Sequence, residues 1–269
     1  MNQQTICREK WNQAKVWFQS DLGRSVYESE LKVIKNQLES CFGYNIVQLG
    51  TVCQESLIKD ARIKRKFVLE CGPTALNGTS AQSYFQQLAI KNNSIDAIVL
   101  HHTLEFEEDP HAILREVERV LVPEGKLIVV LFNPFSLWGM WHVYLHIKQL
   151  VRHQKPILPS PGRLISQKRL KDWLSLLGFN YSKSEPALFR PPVNKTPILR
   201  HLKFMEKAGA RYWPGLAGSY SILATKRIST LTPIRPKWSL RKKVMGSRVP
   251  ETSANLVTTR KKFKDKNDR

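Results

Sequence analysis

Apolar and polar positions along the chain change period several times, and each change marks an element. Residues 8–20 place Trp11, Ala14, Val16 and Trp17 near helical spacing. Residues 25–40 place Val26, Leu31, Val33, Ile34 and Leu38 in a second helical stripe, with Ser25 and Glu28 spaced as a capping box. A short apolar strand over 44–50 ends in Gly50, and another over 66–70 ends in Glu70. Residues 80–89 read as a short strand or a loop. The pattern then sharpens. Asp96 opens an apolar run, 97–100, that ends at Leu100 in a polar cluster of His101, His102 and Glu105. Asp109-Pro110 and an amphipathic helix over 112–121 follow. Pro123-Glu124-Gly125 turns into a second apolar strand, 126–132. Strand, polar loop, helix, turn and strand form a parallel α/β unit. In such sheets ligands sit outside the carboxyl ends of the strands, where His101, His102 and Glu105 fall.

Farther on, 133–151 is aromatic-rich and reads as a loop and then a helix, and 155–163 is a proline-rich connection. Residues 166–177 read as a helix capped by Ser166, with Leu170, Trp173, Leu174 and Leu177 on its apolar face and Gly178 as its C′ residue. Strands over 179–184 and 220–226 complete the pattern, and there is no internal repeat.

The segment from Ser94 to Phe132 resembles the second half of the class I S-adenosylmethionine-dependent methyltransferase domain, in its type 11 branch. The residues that carry the resemblance are Asp96, the histidine loop His101-His102, Asp109-Pro110, Leu114 and Glu116, and the run Leu121-Val122-Pro123-Glu124-Gly125. The likeness is fainter over about 45–93. Beyond Phe132, the stretches FNPFSLWGMW and LTPIRPKW look like a proteobacterial subgroup of that family. The resemblance implies a Rossmann-like, doubly wound, mostly parallel seven-stranded sheet with helices on both faces and an antiparallel last strand. It also implies S-adenosylmethionine as cofactor and an in-line transfer of its methyl group to an acceptor the sequence leaves unidentified.

The implied cofactor site is reduced. Such domains carry a glycine-rich turn after their first strand, because glycine lets the backbone approach the cofactor closely. Here only Gly50 remains, followed by Thr51, Val52, Cys53 and Gln54. Glu70, 20 residues on, has the spacing of the acid that holds ribose hydroxyls. Alignment with the family puts Tyr84 where an acid would meet the adenine amino group, with the amides of Gln86 and Gln87 nearby. Cofactor-binding positions are therefore Gly50, Glu70, Tyr84, Leu100 and His101. His101 and His102 are the catalytic candidates. A neutral imidazole there would take a proton from a nucleophile, and an imidazole that only packs or hydrogen-bonds is the alternative. His101, His102, Glu105 and His111 lack the spacing of helical zinc ligands, so no metal is expected. Asp96 reads as a backbone anchor, and Glu116 and Glu118 as partners of Arg115 and Arg119. The aromatic run 133–142 fits either a substrate platform or a satellite core under the 166–177 helix.

Composition adds boundaries. The 269 residues suffice for one enzyme-sized core with extensions: a helical segment 1–43, a methyltransferase-like domain 44–228 with an aromatic and proline-rich insertion at 133–165, and a tail 229–269. No apolar run reaches the roughly 18 residues of a membrane span. The first residues lack the basic and apolar regions of a signal peptide. Cys7, Cys41, Cys53 and Cys71 have no paired spacing, which suits a reducing cytoplasm. The net charge of +21 is concentrated: from Lys226 onward there are 14 lysines and arginines against three acids. That tail has too little apolar surface to fold alone, and it reads either as an arm for nucleic acid or anionic surfaces or as a solubilising extension. Three functions stay open at this point: a methyltransferase, a non-catalytic binding module that keeps its fold, and a nucleic-acid-associated protein using its basic arm.

Overall fold

The computed structural model describes residues 3–53, 56–71, 80–141, 144, 163–182, 184–191, 209 and 213–227, with side chains from residue 9 onward. Two compact units, Met1–Ser229 and Thr230–Arg269, divide the chain. All described residues lie in the first. The basic tail and most of the 142–162 part of the aromatic and proline-rich insertion fall outside them.

Two helices, α1 (Gln3–Phe18) and α2 (Asp21–Leu38), precede β1 (Asn45–Leu49), β2 (Arg65–Glu70), β3 (Ala81–Gln82) and β4 (Ile95–His101). Then come α3 (Thr103–Phe106), α4 (Pro110–Val120), β5 (Leu121–Phe132), α5 (Gln167–Leu176), β6 (Phe179–Tyr181), β7 (Glu185–Pro186) and β8 (Ser219–Lys226). The sheet order is β3-β2-β1-β4-β5-β8-β6, with β7 also on β8. The first five strands run parallel, and β8 is antiparallel to β5, β6 and β7. This is the Rossmann-like sheet the sequence implies. Strand order reverses between β1 and β4, so the crevice for ligands opens at their carboxyl ends.

Strand alternation gives each face of the sheet its own core. Val47, Leu49, Leu69, Ile98, Leu100 and Val129 pack on one side with α4. Ile46, Val68, Ala97, Val99, Ile128 and Val130 pack on the other with α2. The N-terminal helices straddle the strand ends. Trp11, Ala14, Trp17 and Phe18 of α1 join the first cluster, while Ile34 and Leu38 of α2 join the second. Val16, counted in the apolar stripe from sequence, points outward at 69% exposure. Gly23 makes the turn between the helices possible, because a Cβ there would sit 2.3 Å from the Trp17 carbonyl oxygen.

Local rules explain most boundaries. Asp109 caps α4 by accepting from the His111 and Ala112 amides, with Pro110 at the first helical position. Ser166 caps α5, and Gly178 follows it with φ +78°. Asp96 anchors the start of β1 by accepting from the Tyr44 and Asn45 amides. Two readings change. The cap of α2 is Ser20, which accepts from the Gly23 amide, so Ser25 lies inside the helix rather than starting it. Pro123-Glu124-Gly125 lies within β5, as a bulge where pairing shifts from Ile95↔Leu121 to Ala97↔Lys126, with Glu124 at φ +63°.

Candidate functional site at the strand ends

The carboxyl ends of β1, β2 and β4 bring together four of the residues singled out from sequence. Gly50 leaves β1 with φ +79°, its amide bonded to the Leu69 carbonyl at 2.9 Å. Behind it the loop is held by Gln48, a buried side chain the sequence reading passed over. Gln48 Nε2 donates to the Gly50 carbonyl, while its Oε1 accepts from the Leu57 amide and the Ser56 hydroxyl. Glu70 ends β2 at 2% exposure. Leu100 and His101 end β4, both buried. Tyr84 differs: it is 60% exposed and forms an isolated bridge with Gln87.

Helix α1 lies over this crevice. The Trp11 indole covers Gly50 so closely that a Cβ on the glycine would meet Trp11 Cη2 at 2.2 Å. Its N–H donates to Glu107 at 3.0 Å, and its ring packs edge-on against Phe85 and Phe106. One turn on, Lys15 Nζ lies 3.2 Å from Glu70 Oε2. A glycine without a side chain and a carboxylate on the neighbouring strand suit a nucleoside cofactor in kind. In this arrangement they are already taken by α1, and the site does not admit one.

Helix α2 closes the β4 side. Glu30 accepts from His101 Nε2 at 2.8 Å and approaches His102 Nε2 at 3.2 Å. His102 Nδ1 reaches Glu105 Oε2 at 2.7 Å, and Glu105 Oε1 accepts from the Phe132 amide at 2.8 Å. All four side chains are buried. His102 is left-handed (φ +55°) and stacks on Phe132. A left-handed non-glycine residue persists only where its surroundings hold it, and such residues gather at functional sites. Burial would push the Glu30 carboxyl up, but the charge of His102 and hydrogen bonds from both histidines hold it below the usual carboxylate range. Burial opposes a charge on His102 too, yet Glu30 and Glu105 raise its pKa to about 10. Burial and the neighbouring His102 charge keep His101 down, and burial pushes Glu105 up. These shifts favour the proton on His102 and the neutral form of His101.

Glu30, His101 and His102 present donor atoms within 4.8 Å of one another, a set suited to a divalent ion and satisfied as it stands by the bonds among them. His111 lies elsewhere, against Trp173 at 4.0 Å. Glu30 was detectable in sequence, because it interrupts the i, i+4 stripe of Val26, Ile34 and Leu38 with a charge. The contacts of Trp11 and Lys15 carry no such local signal. The aromatic run begins as a turn and a helix from Leu137. Its Trp138 is buried against Trp17 and Phe132, while Phe135 and Met140 are exposed. A cavity of about 510 Å³ runs along β2 and β3, with Asn45 and Ser94 at one end and Leu69, Gln82 and Ser83 near Glu70 at the other. No helix among the described residues is long and apolar enough to cross a membrane.

Comparison with known proteins agrees with this architecture. Residues 54–129 match the family described as a methyltransferase domain. An S-adenosylmethionine-dependent methyltransferase of Thermotoga maritima, described as a possible histamine N-methyltransferase, superposes with a TM-score of 0.59 at 20% identity. It covers 84% of this chain and 100% of that one. A methyltransferase of Archaeoglobus fulgidus gives 0.52 at 16%, over 76% and 94%. These two show the fold. The uncharacterized protein YafS of Escherichia coli is 28% identical over 152 residues, 55% of this chain and 59% of that protein. An uncharacterized protein of Methanocaldococcus jannaschii is 25% identical over 176 residues, 65% and 80%. The chain therefore spans somewhat under two thirds of the E. coli relative's length.

The sheet order is that of these methyltransferase structures, and the matched segment, 54–129, runs from the loop after β1 into β5.

Proposed function

We propose that the chain is a methyltransferase that takes S-adenosylmethionine between the ends of β1 and β2 and methylates an acceptor presented beside β4. The observation that supports this most is that Gly50 and Glu70 stand at the carboxyl ends of β1 and β2, neighbouring parallel strands beside the point where the strand order reverses. The bound cofactor supplies an electrophilic methyl group. With α1 displaced, Gly50 would leave room for it at the backbone, and the Glu70 carboxylate would accept from its ribose hydroxyls. Leu100, buried at the end of β4, would border the same crevice. Positioning and alignment of the acceptor are the main source of rate in such a transfer.

Of the two histidines, His101 suits proton acceptance better. It is neutral, its Nε2 is engaged by Glu30, and its Nδ1 has no hydrogen-bond partner among the described residues. His102, carrying the proton, would hold Glu30 and Glu105 in place instead. Lys226 is buried at the end of β8 and Arg227 is paired with Glu124, so it is the basic segment beyond them that supports contact with nucleic acid or another anionic surface, by counterion release rather than sequence readout.

Calorimetric titration with S-adenosylhomocysteine tests the reading. Micromolar binding, weakened by Glu70→Ala, is the expected result. Absence of binding up to about millimolar ligand, both by the wild-type chain and after Lys15→Gln removes the ion pair to Glu70, would sink it. Removal of residues after 228 should abolish the salt-dependent part of any polyanion binding.

A further inference from the structure

We infer that α1 and the cofactor compete for the same groups, so that the structure is a closed state held by the protein's own N-terminal helix. The inference rests on the methyltransferase reading. Trp11 covers Gly50, and Lys15 is paired with Glu70. These are the two positions a nucleoside cofactor would need. A flat aromatic ring with an N–H donor, next to an ammonium, offers the acids Glu107 and Glu70 what a nucleoside's base and hydroxyls would offer.

Helix α2 has anchors of its own that do not pass through α1. Helix α2 has its own cap in Ser20, its own bonds from Glu30 to the histidines, and a bond from Ser221 Oγ to Gln37 Oε1 at 2.6 Å. Its Ile34 and Leu38 belong to the opposite core. The polar anchors of α1, by contrast, run to Glu107 at the end of α3 and to Glu70 at the end of β2, beside the packing of its Trp17 and Phe18 on Phe132, Trp138 and the two histidines. The hinge is the Gln19-Ser20 turn, where the Ser20 amide returns to the Trp17 carbonyl. A ligand that binds only the open form shifts this equilibrium, and its apparent affinity is reduced by the fraction of chain that is open. Weakening α1's hold should therefore tighten cofactor binding.

The full-length chain and its Lys15→Gln and Trp11→Leu variants would be titrated with S-adenosylhomocysteine, with thermal unfolding of each unliganded variant as a folding control. Hydrogen exchange of residues 3–18 would be followed with and without ligand. Competition predicts that both variants bind about tenfold or more tightly than wild type, and that exchange in α1 speeds up when wild type binds. Equal or weaker binding by Lys15→Gln, with α1 exchange unchanged or slowed by ligand, would overturn the competition and leave the cofactor reading standing. In that case α1 would cover bound cofactor rather than exclude it. No binding by wild type or either folded variant would remove the cofactor reading, and the competition with it.

Discussion

Glu30 and His101 are joined by a 2.8 Å hydrogen bond across 71 residues of chain, wholly inside the protein. The same carboxylate faces His102, which carries the cluster's proton. Glu30→Ala would strand that charge without its main counter-ion. Removing one partner of a buried pair costs about 3–5 kcal/mol, whereas Glu30→Gln keeps a polar group there and should cost less. Urea unfolding of the two variants measures the difference, and equal stability of Glu30→Ala and wild type would refute it.

The same cluster gives a pH dependence with a defined sign. The pKa of His102 is raised above its unfolded value of 6.5 to about 10 by Glu30 on α2 and Glu105 on α3, against burial and beside neutral His101. Its contribution to stability is complete below the unfolded pKa and is lost as pH rises through the folded one. Between those limits the folded state holds up to one extra proton, so stability should fall by at most about 1.4 kcal/mol per pH unit. Unfolding midpoints at pH 7 and pH 9 check this. The decline should be shallower in His102→Gln. Identical slopes in the two proteins would assign the proton elsewhere.

Much of this fold could be read from sequence because its signals are local. The unit from Asp96 to Phe132 announces itself through period changes, the Asp109 cap and the Asp96 anchor, all decided within a few residues or one strand pairing. The strand-end positions of Gly50 and Glu70 follow from the same patterning. The covering of the site does not. Trp11 meets Glu107 96 positions away, and Lys15 meets Glu70 55 away. An amphipathic helix shows which face is apolar, never which cavity receives it. Tyr84 illustrates the opposite limit. Alignment gave it a role by position, yet its side chain is largely in solvent.

Gln48 is a case where one side chain organises a loop that lacks the usual glycines. Its amide joins Gly50, Ser56 and Leu57 from inside the sheet. Gln48→Ala would leave the buried Leu57 amide without this acceptor, at a cost of roughly 1–3 kcal/mol. The loss should appear first as faster hydrogen exchange at Leu57, with β4 and β5 unaffected. Unchanged protection of that amide would show that another group holds the loop.

Ser20 and Ser25 separate the cap that forms from the one the sequence pattern favours. Ser20 Oγ accepts from the Gly23 amide at 3.1 Å and donates to the Trp17 carbonyl at 2.7 Å, so it ends α1 and starts α2 at once. Ser25 lies one turn into α2, where its hydroxyl accepts from Arg190 and its carbonyl accepts from Ser29 Oγ. Both Ser20→Ala and Ser25→Ala remove a hydrogen bond, so total stability alone does not tell them apart. Loss of a cap costs typically about 1 kcal/mol and loosens the first turn of the helix. Ser20→Ala should therefore accelerate exchange at the Gly23 amide, while Ser25→Ala leaves that amide protected and loosens the Arg190 contact instead. If Ser25→Ala proved to be the variant that exposes Gly23, the helix would start where the capping-box spacing put it. The turn that links α1 to α2 would then have to be redrawn.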